Sequence, residues 1–321
     1  MDSSIHNPPT AEDILQAANR IRPFINRTPV KTSSTLNRMT GAVLFFKCEN
    51  FQKVGAFKAR GATNAIFSLE ESETILGVCT HSSGNHAQAL AWAASLRNIP
   101  AYIVMPENSS PVKINAVRDY GGIITFCKPT LEARESTLKE VINETGAIEI
   151  HPYNNLRIIA GQATSAAELF EETEKLDILI APVGGGGLVS GSALSTYYFS
   201  HGTKVIAAEP EQANDAWLSF TQKRLVPSIH PNTIADGLRT SLGSFTFPII
   251  LQYVNEIVTV SEESIITAMR LVWERMKILI ETSSAVPVAA LLSGKINVKS
   301  KRVGIILSGG NVDLDHLPWK E

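Results

Sequence analysis

Four consecutive glycines, Gly184 to Gly187, separate the apolar run Ile178 to Val183 from a helical pattern that opens near Leu188. Backbone without side chains lets several N–H groups converge on an anion at a helix N-terminus, where the peptide dipoles also favour negative charge. The run reads as a phosphate cradle. The alternative, an unliganded strand-to-helix turn, would carry the conformational-entropy cost of four glycines with nothing to offset it. The segment lacks the Lys-Ser/Thr of a Walker loop and the spacing of a dinucleotide fingerprint, which disfavours a P-loop NTPase and an NAD site.

Three further segments carry groups that could do chemistry. Thr80-His-Ser-Ser-Gly-Asn-His86 is another strand end running into a helical stretch, Ala87 to Leu96. Small polar side chains and free amides there make a seat for a carboxylate, although Ser82, Ser83 or Asn85 could equally be a plain helix cap. Lys58 lies among small and apolar residues in Phe51-Gln-Lys-Val-Gly-Ala-Phe-Lys-Ala-Arg-Gly-Ala62, ahead of an apolar helix. A partly desolvated lysine has a lowered pKa and can attack an aldehyde; Lys53 is a rival on the same segment. Val303 to Leu307 delivers Ser308 and a Gly pair to a strand end, where a hydroxyl could bond a ring nitrogen or simply close a turn.

The elements that must position these groups alternate along the chain. Val43 to Cys48, Gly77 to Thr80, Ala101 to Met105, Ile123 to Cys127, Ile178 to Val183, Val205 to Glu209 and Val303 to Leu307 read as buried strands. Asn85 to Arg97, Val112 to Tyr120, Glu132 to Thr145, Ala160 to Glu172 and Leu188 to Phe199 read as helices, and Thr10 with Asp13 forms a capping signal before another. Such alternation implies an α/β fold of open parallel sheets with helices on both faces. No linker or repeat interrupts it. The expected subdivision is a large domain from residues 1–74 and 151–321, and a small mobile domain of four strand–helix units from residues 75–150. Ligands of such sheets sit beyond the carboxyl ends of the strands, where all four segments fall.

With 321 residues and 44% apolar composition the chain can bury a large core. Its 29 basic and 31 acidic residues leave a net charge of -2. That supplies no field for nucleic acid, so a small-molecule partner is expected. No apolar run reaches membrane-spanning length, and Met1 to Thr10 contains neither a secretory nor a transit pattern, so a cytoplasmic location is expected. Cys48, Cys79 and Cys127 show no metal-ligand spacing and are expected to be reduced and buried.

Together the glycine run, the Ala-Phe-Lys lysine, the Ser-Ser-Gly-Asn-His loop and the Ser-Gly-Gly-Asn strand end resemble the fold-type II pyridoxal-phosphate (PLP) enzymes, whose architecture is that of the tryptophan synthase β subunit. Within that group the chain is similar to serine racemases, serine/threonine dehydratases and hydroxyaspartate ammonia-lyases. The resemblance runs from about Arg22 to Asp313. It includes Phe45-Phe-Lys-Cys-Glu-Asn-Phe-Gln-Lys, His151-Pro, Ile159-Ala-Gly-Gln, Ala207-Ala-Glu-Pro, Thr233-Ile-Ala-Asp-Gly and Leu271-Val-Trp-Glu-Arg-Met-Lys.

The resemblance implies a small hydroxy-amino acid as substrate and PLP joined covalently to Lys58. Gly184, Gly185, Gly186, Gly187 and Leu188 would hold its phosphate, Asn85 its ring hydroxyl, Phe57 one ring face and Ser308 the pyridine nitrogen. Ser82, Ser83 and His86 would seat the substrate carboxylate, with Ser83 as a second base opposite Lys58. A serine does not keep the pyridine nitrogen protonated, which makes the cofactor a weaker electron sink and favours loss of a β-hydroxyl. Glu209, Ala213 and Asp215 resemble a divalent-cation site for Mg2+, Ca2+ or Mn2+. Ser33, Ser34, Lys53, Trp273, Lys277 and Asn311 match positions near an ATP effector.

A homodimer is expected by the same resemblance, without a C-terminal regulatory domain. Two departures bear on the substrate. Thr282 stands where relatives usually carry proline, and Tyr153 follows His151-Pro where some racemases carry asparagine. Arg134 matches a position near a bound dicarboxylate, which keeps hydroxyaspartate among the candidate substrates; a helix-surface charge is the alternative.

Overall fold

A computed structural model describes residues 7–319; the reading of residues 1–6 as free of a leader pattern lies outside the described residues. Two sheets account for the strands. We number them in chain order: β1 (Val30–Lys31), β2 (Val43–Cys48), β3 (Val78–His81), β4 (Ala101–Pro106), β5 (Ile123–Cys127), β6 (Ile148–Glu149), β7 (Ile178–Pro182), β8 (Lys204–Pro210), β9 (Glu256–Val260) and β10 (Arg302–Leu307). The larger sheet has the order β1-β2-β10-β7-β8-β9 and the smaller β5-β4-β3-β6. Only β1 runs antiparallel to its neighbour.

Side-chain burial explains why parallel sheets form. Every residue of β7 and all but the first of β8 and β10 are buried, as expected of strands covered on both faces. In the smaller sheet the alternation is resolved face by face. Val78 and Ile103 pack with the Ala-rich helix Asn85–Leu96, whereas Cys79 and Val104 pack with Leu138 and Val141 of the helix Leu131–Thr145. All three cysteines are free and buried.

The anticipated strands and helices are present with ends shifted by a few residues, and the Thr10–Asp13 capping box is formed. The small sheet departs from the expected four strand–helix units. Its last strand is two residues long, and the helix that follows, Leu156–Glu172, packs on the helices Gly187–Phe199 and Lys58–Phe67 instead.

Behind the site lies a buried ionic lock. Arg60 is 0% exposed and donates to both oxygens of Glu49 (2.7 and 2.9 Å) and both of Glu168 (2.8 and 2.7 Å). Lys47 also reaches Glu168 at 2.8 Å. The lock ties the helix Lys58–Phe67 to the end of β2 and to the helix Leu156–Glu172. Among the described residues no helix is long and apolar enough to cross a membrane.

Candidate active site

Lys58 is the first residue of its helix rather than a loop residue ahead of it. The backbone before it is pinned to the end of β10, where the Phe57 amide donates to the Ser308 carbonyl (3.0 Å) and Ala56 pairs with Gly309. The Lys58 ammonium donates to the Pro152 carbonyl at 2.8 Å and lies 5.2 Å from the centre of the Phe57 ring. Burial lowers its pKa from 10.5 to about 8, against a smaller opposing pull from Glu281. About one amine in ten is then uncharged at pH 7, far more than for a solvated lysine. The cofactor-free protein should accordingly capture an added aldehyde about tenfold faster as pH rises from 7 toward 9, with the rate levelling above pH 8. A stopped-flow pH series measures this. Lys53, the rival lysine, is exposed.

The glycine run leaves the end of β7 and turns into the helix Gly187–Phe199 with Gly186 in the left-handed region, φ 90°. The first amides of a helix have no intrahelical partner, so those of Gly187, Leu188 and Val189 are available to an anion. The cradle has walls. A Cβ on Gly186 would come within 2.8 Å of Thr246 Cβ, and one on Gly185 within 2.4 Å of the Tyr153 ring. Thr246 Oγ1 donates to the Gly185 carbonyl at 2.8 Å. Gly186→Ala should weaken phosphate-group binding about tenfold, the equivalent of forcing a side chain into the left-handed region; titration of the cofactor-free protein would show it.

The loop after β3 carries Ser82 and Ser83 into the helix Asn85–Leu96, of which Asn85 and His86 are the first two residues. The helix has no side-chain cap, so the plain-cap alternative is not what these residues do. The Ser82 amide donates to the Val104 carbonyl at 3.0 Å, and Ser82 Oγ accepts from the Gly84 amide at 3.3 Å. Asn85 Nδ2 meets both oxygens of Glu281 at 2.9 and 3.2 Å. His86 is 2% exposed and its Nε2 bonds the Ile150 carbonyl at 3.0 Å, so Nε2 carries the proton. Burial, then the Lys58 charge, hold His86 well below its ordinary pKa. His151 accepts the Tyr153 and Asn154 amides at Nδ1 (3.3 and 2.9 Å), and burial brings its pKa to about 4. Lys58 is thus the only one of these bases that holds a proton firmly near neutrality.

Ser308 is 3% exposed at the end of β10. Lys58, the glycine run, the Ser82–His86 loop and Ser308 therefore all stand at carboxyl ends of strands. Arg134 is near the end of β3: burial and then the Arg134 charge lower the pKa of His81, the same charge offsets part of the rise that burial causes in Cys127, and the Arg134 Nε is buried without a hydrogen-bond partner among the described residues. Glu209 is the penultimate residue of β8 and is 0% exposed, its two oxygens accepting the Ala216 and Trp217 amides at 2.9 and 2.8 Å. Burial, then the neighbouring Asp215, raise its pKa well above the carboxylate range, and burial takes Asp215 to about 7. Ala213 ends the short turn between them.

The other candidate positions are spread over the large sheet's surroundings. Ser33 caps the helix Ser34–Thr40, Trp273 Nε1 donates to the Ile280 carbonyl at 3.0 Å, Lys277 ends the helix Glu262–Met276, and Asn311 donates to Val54 and Asn85. Thr282, at the usual proline position, donates to the Ile234 carbonyl at 2.9 Å.

Sequence reading passed over Glu281 as a site residue, along with Thr246 and the ion pair of Lys113 with Asp236. Glu281 is 4% exposed, and burial raises its pKa to about 7. A single carboxylate after the apolar Ile278-Leu-Ile280 was the signal that could have found it.

The residues fit PLP on grounds of their own: a walled glycine cradle for phosphate, a lysine held near its titration point for the aldehyde, and amide and hydroxyl groups for the ring. Residues 21–309 match the sequence profile of the family described as pyridoxal-phosphate dependent enzyme. The chain is 51% identical to a beta-hydroxyaspartate dehydratase of Paracoccus denitrificans over 97% of this chain and 99% of the relative. It is also 51% identical to a serine racemase of Dictyostelium discoideum, covering 96% of each. The crystal structure of serine racemase from Dictyostelium discoideum superposes with a TM-score of 0.90 at 50% identity, over 95% of this chain and 99% of that one. This chain belongs to the pyridoxal-phosphate dependent enzyme family.

Proposed function

We propose that the protein acts on small β-hydroxy-amino acids, interconverting L- and D-serine and eliminating water from serine to give pyruvate and ammonia. The observation that carries this is Lys58, half-buried beside the Ser82–His86 loop with a pKa of about 8. Bound PLP would supply a sink for the electron pair left when the Cα proton is removed. Lys58 takes that proton on one face, and Ser83 returns one from the other face to give the inverted isomer. Loss of the β-hydroxyl from the same point gives the elimination product. Ser83→Ala should abolish D-serine formation while pyruvate formation from L-serine persists, read by chiral chromatography beside a 2-oxo acid assay. Loss of both products to the same extent would contradict the assignment of Ser83.

A second reading has its own support. The buried, unpartnered Nε of Arg134 and the close relative named for beta-hydroxyaspartate favour a substrate with a second carboxylate, converted to oxaloacetate and ammonia. Threonine, giving 2-oxobutyrate, is a further substrate to compare. Incubation with L-serine, L-threonine and threo-3-hydroxy-L-aspartate, following each 2-oxo acid and the D-isomers, ranks the three. Inactivity toward all of them would defeat the proposal.

We also propose a divalent cation between Glu209 and Asp215 with the Ala213 carbonyl. Two buried carboxylates that form no ion pair among the described residues support it. Exposed Lys53 and Lys277 support a polyphosphate effector near Ser33, Ser34, Trp273 and Asn311. Residues 75–150 are proposed to move as a unit to admit substrate, and the Lys113–Asp236 pair crosses between that unit and the rest. A homodimer is the proposed assembly.

A further inference from the structure

Val54 stands four positions before Lys58 with φ 54° and ψ 17°. A β-branched side chain in the left-handed region is a backbone outlier, and such outliers persist only where the surroundings over-determine them. Here the backbone bonds of Gly55 to Gln52 (3.0 Å) and of Ala56 to Lys53 (3.4 Å) flank the residue, and one side chain holds its carbonyl. Asn311 Nδ2 donates to the Val54 carbonyl at 2.7 Å and to Asn85 Oδ1 at 2.9 Å. Asn85 Nδ2 then meets Glu281, whose own amide is held by the Gly309 carbonyl at 3.1 Å. The Gly310 amide closes the arrangement on the Gly55 carbonyl at 2.9 Å.

The direction of this chain is forced. A carbonyl can only accept, so Asn311 must present its amino group to Val54. The same amino group reaches Asn85, which must answer with its carbonyl and turn its own amino group to Glu281. We propose that Asn311 is a positioning residue: it holds Val54 in its strained conformation, and from that fixed carbonyl it sets which way the Asn85 amide faces. The segment that launches Lys58 and the side chain expected at the ring hydroxyl are thereby oriented from a single point. The inference rests on the reading of Lys58 and Asn85 as cofactor-holding residues.

The test compares crystal structures of cofactor-free wild type, Asn311→Ala and the nearly isosteric Asn311→Asp, which sets an acceptor against two acceptors and keeps the volume should the alanine variant fail to fold. In each variant that folds, Val54 should relax to negative φ and the Asn85 amide should leave or reverse its contact with Glu281. With PLP and substrate, kcat should fall about tenfold with KM changed about twofold or less, and the visible spectrum of the bound cofactor should shift. Val54 at positive φ and Asn85 unmoved in Asn311→Asp would overturn the inference. If wild-type Lys58 did not join the cofactor, the functional reading would fall while the backbone comparison still decided the role of Asn311.

Discussion

Lys58→Ala should lower turnover of every substrate by at least about 10^4-fold, because the amine is both the attachment point and the base in one group. The fold should survive it. The Lys58 ammonium makes its hydrogen bond to a single backbone carbonyl, Pro152, and does not belong to the Arg60–Glu49–Glu168 lock. Linkage points the same way. With a folded pKa of about 8, below the unfolded value of 10.5, the folded state holds this proton less tightly than the unfolded chain does. Wild-type stability therefore rises as pH passes from 8 to 10.5, and at pH 7 the protonated lysine is a destabilising group that alanine removes. Cofactor-free Lys58→Ala should melt within about 3 °C of cofactor-free wild type at pH 7. Activity and calorimetry on the same preparation check both halves.

Arg60→Ala should have the opposite profile, with stability lost first and activity following. Removing the guanidinium leaves Glu49, at 0% exposure, without its cation, while the half-buried Glu168 keeps Lys47. Breaking one partner out of a buried ionic group costs about 3–5 kcal/mol, a large fraction of the stability of an ordinary domain. Arg60→Lys should recover little of it, since one ammonium cannot span two carboxylates bidentately. Denaturant titration of the cofactor-free proteins measures the loss. An Arg60→Ala variant within about 1 kcal/mol of wild type would show that the lock contributes little.

The parts of this fold that were legible in the sequence are those with strong local signals. β7 and β10 are short, largely apolar runs with glycine within two residues of their carboxyl ends, and both are buried along almost their whole length. The glycine run and Ser308 follow those strands directly, so the strand ends locate them. β1 and β6 are two residues long, too short for any period, and β9 begins with exposed Glu256 and includes half-buried Thr259 at a sheet edge. These left no pattern to read.

The site divides in the same manner. Lys58, Asn85 and the glycines announce themselves by their neighbours along the chain. Glu281 joins Asn85 across 196 positions and Thr246 joins Gly185 across 61, contacts that only the folded backbone creates. Arg60 has no carboxylate beside it in the run Ala56 to Ala62; its complete burial depends on carboxylates at positions 49 and 168.

The most direct measurement reduces the PLP-loaded protein with borohydride, digests it and locates the modified peptide by mass spectrometry. The account predicts a single phosphopyridoxyl adduct, on Lys58, and loss of the visible absorbance on reduction. An adduct on Lys53 or another lysine, or no adduct from protein saturated with cofactor, would contradict it.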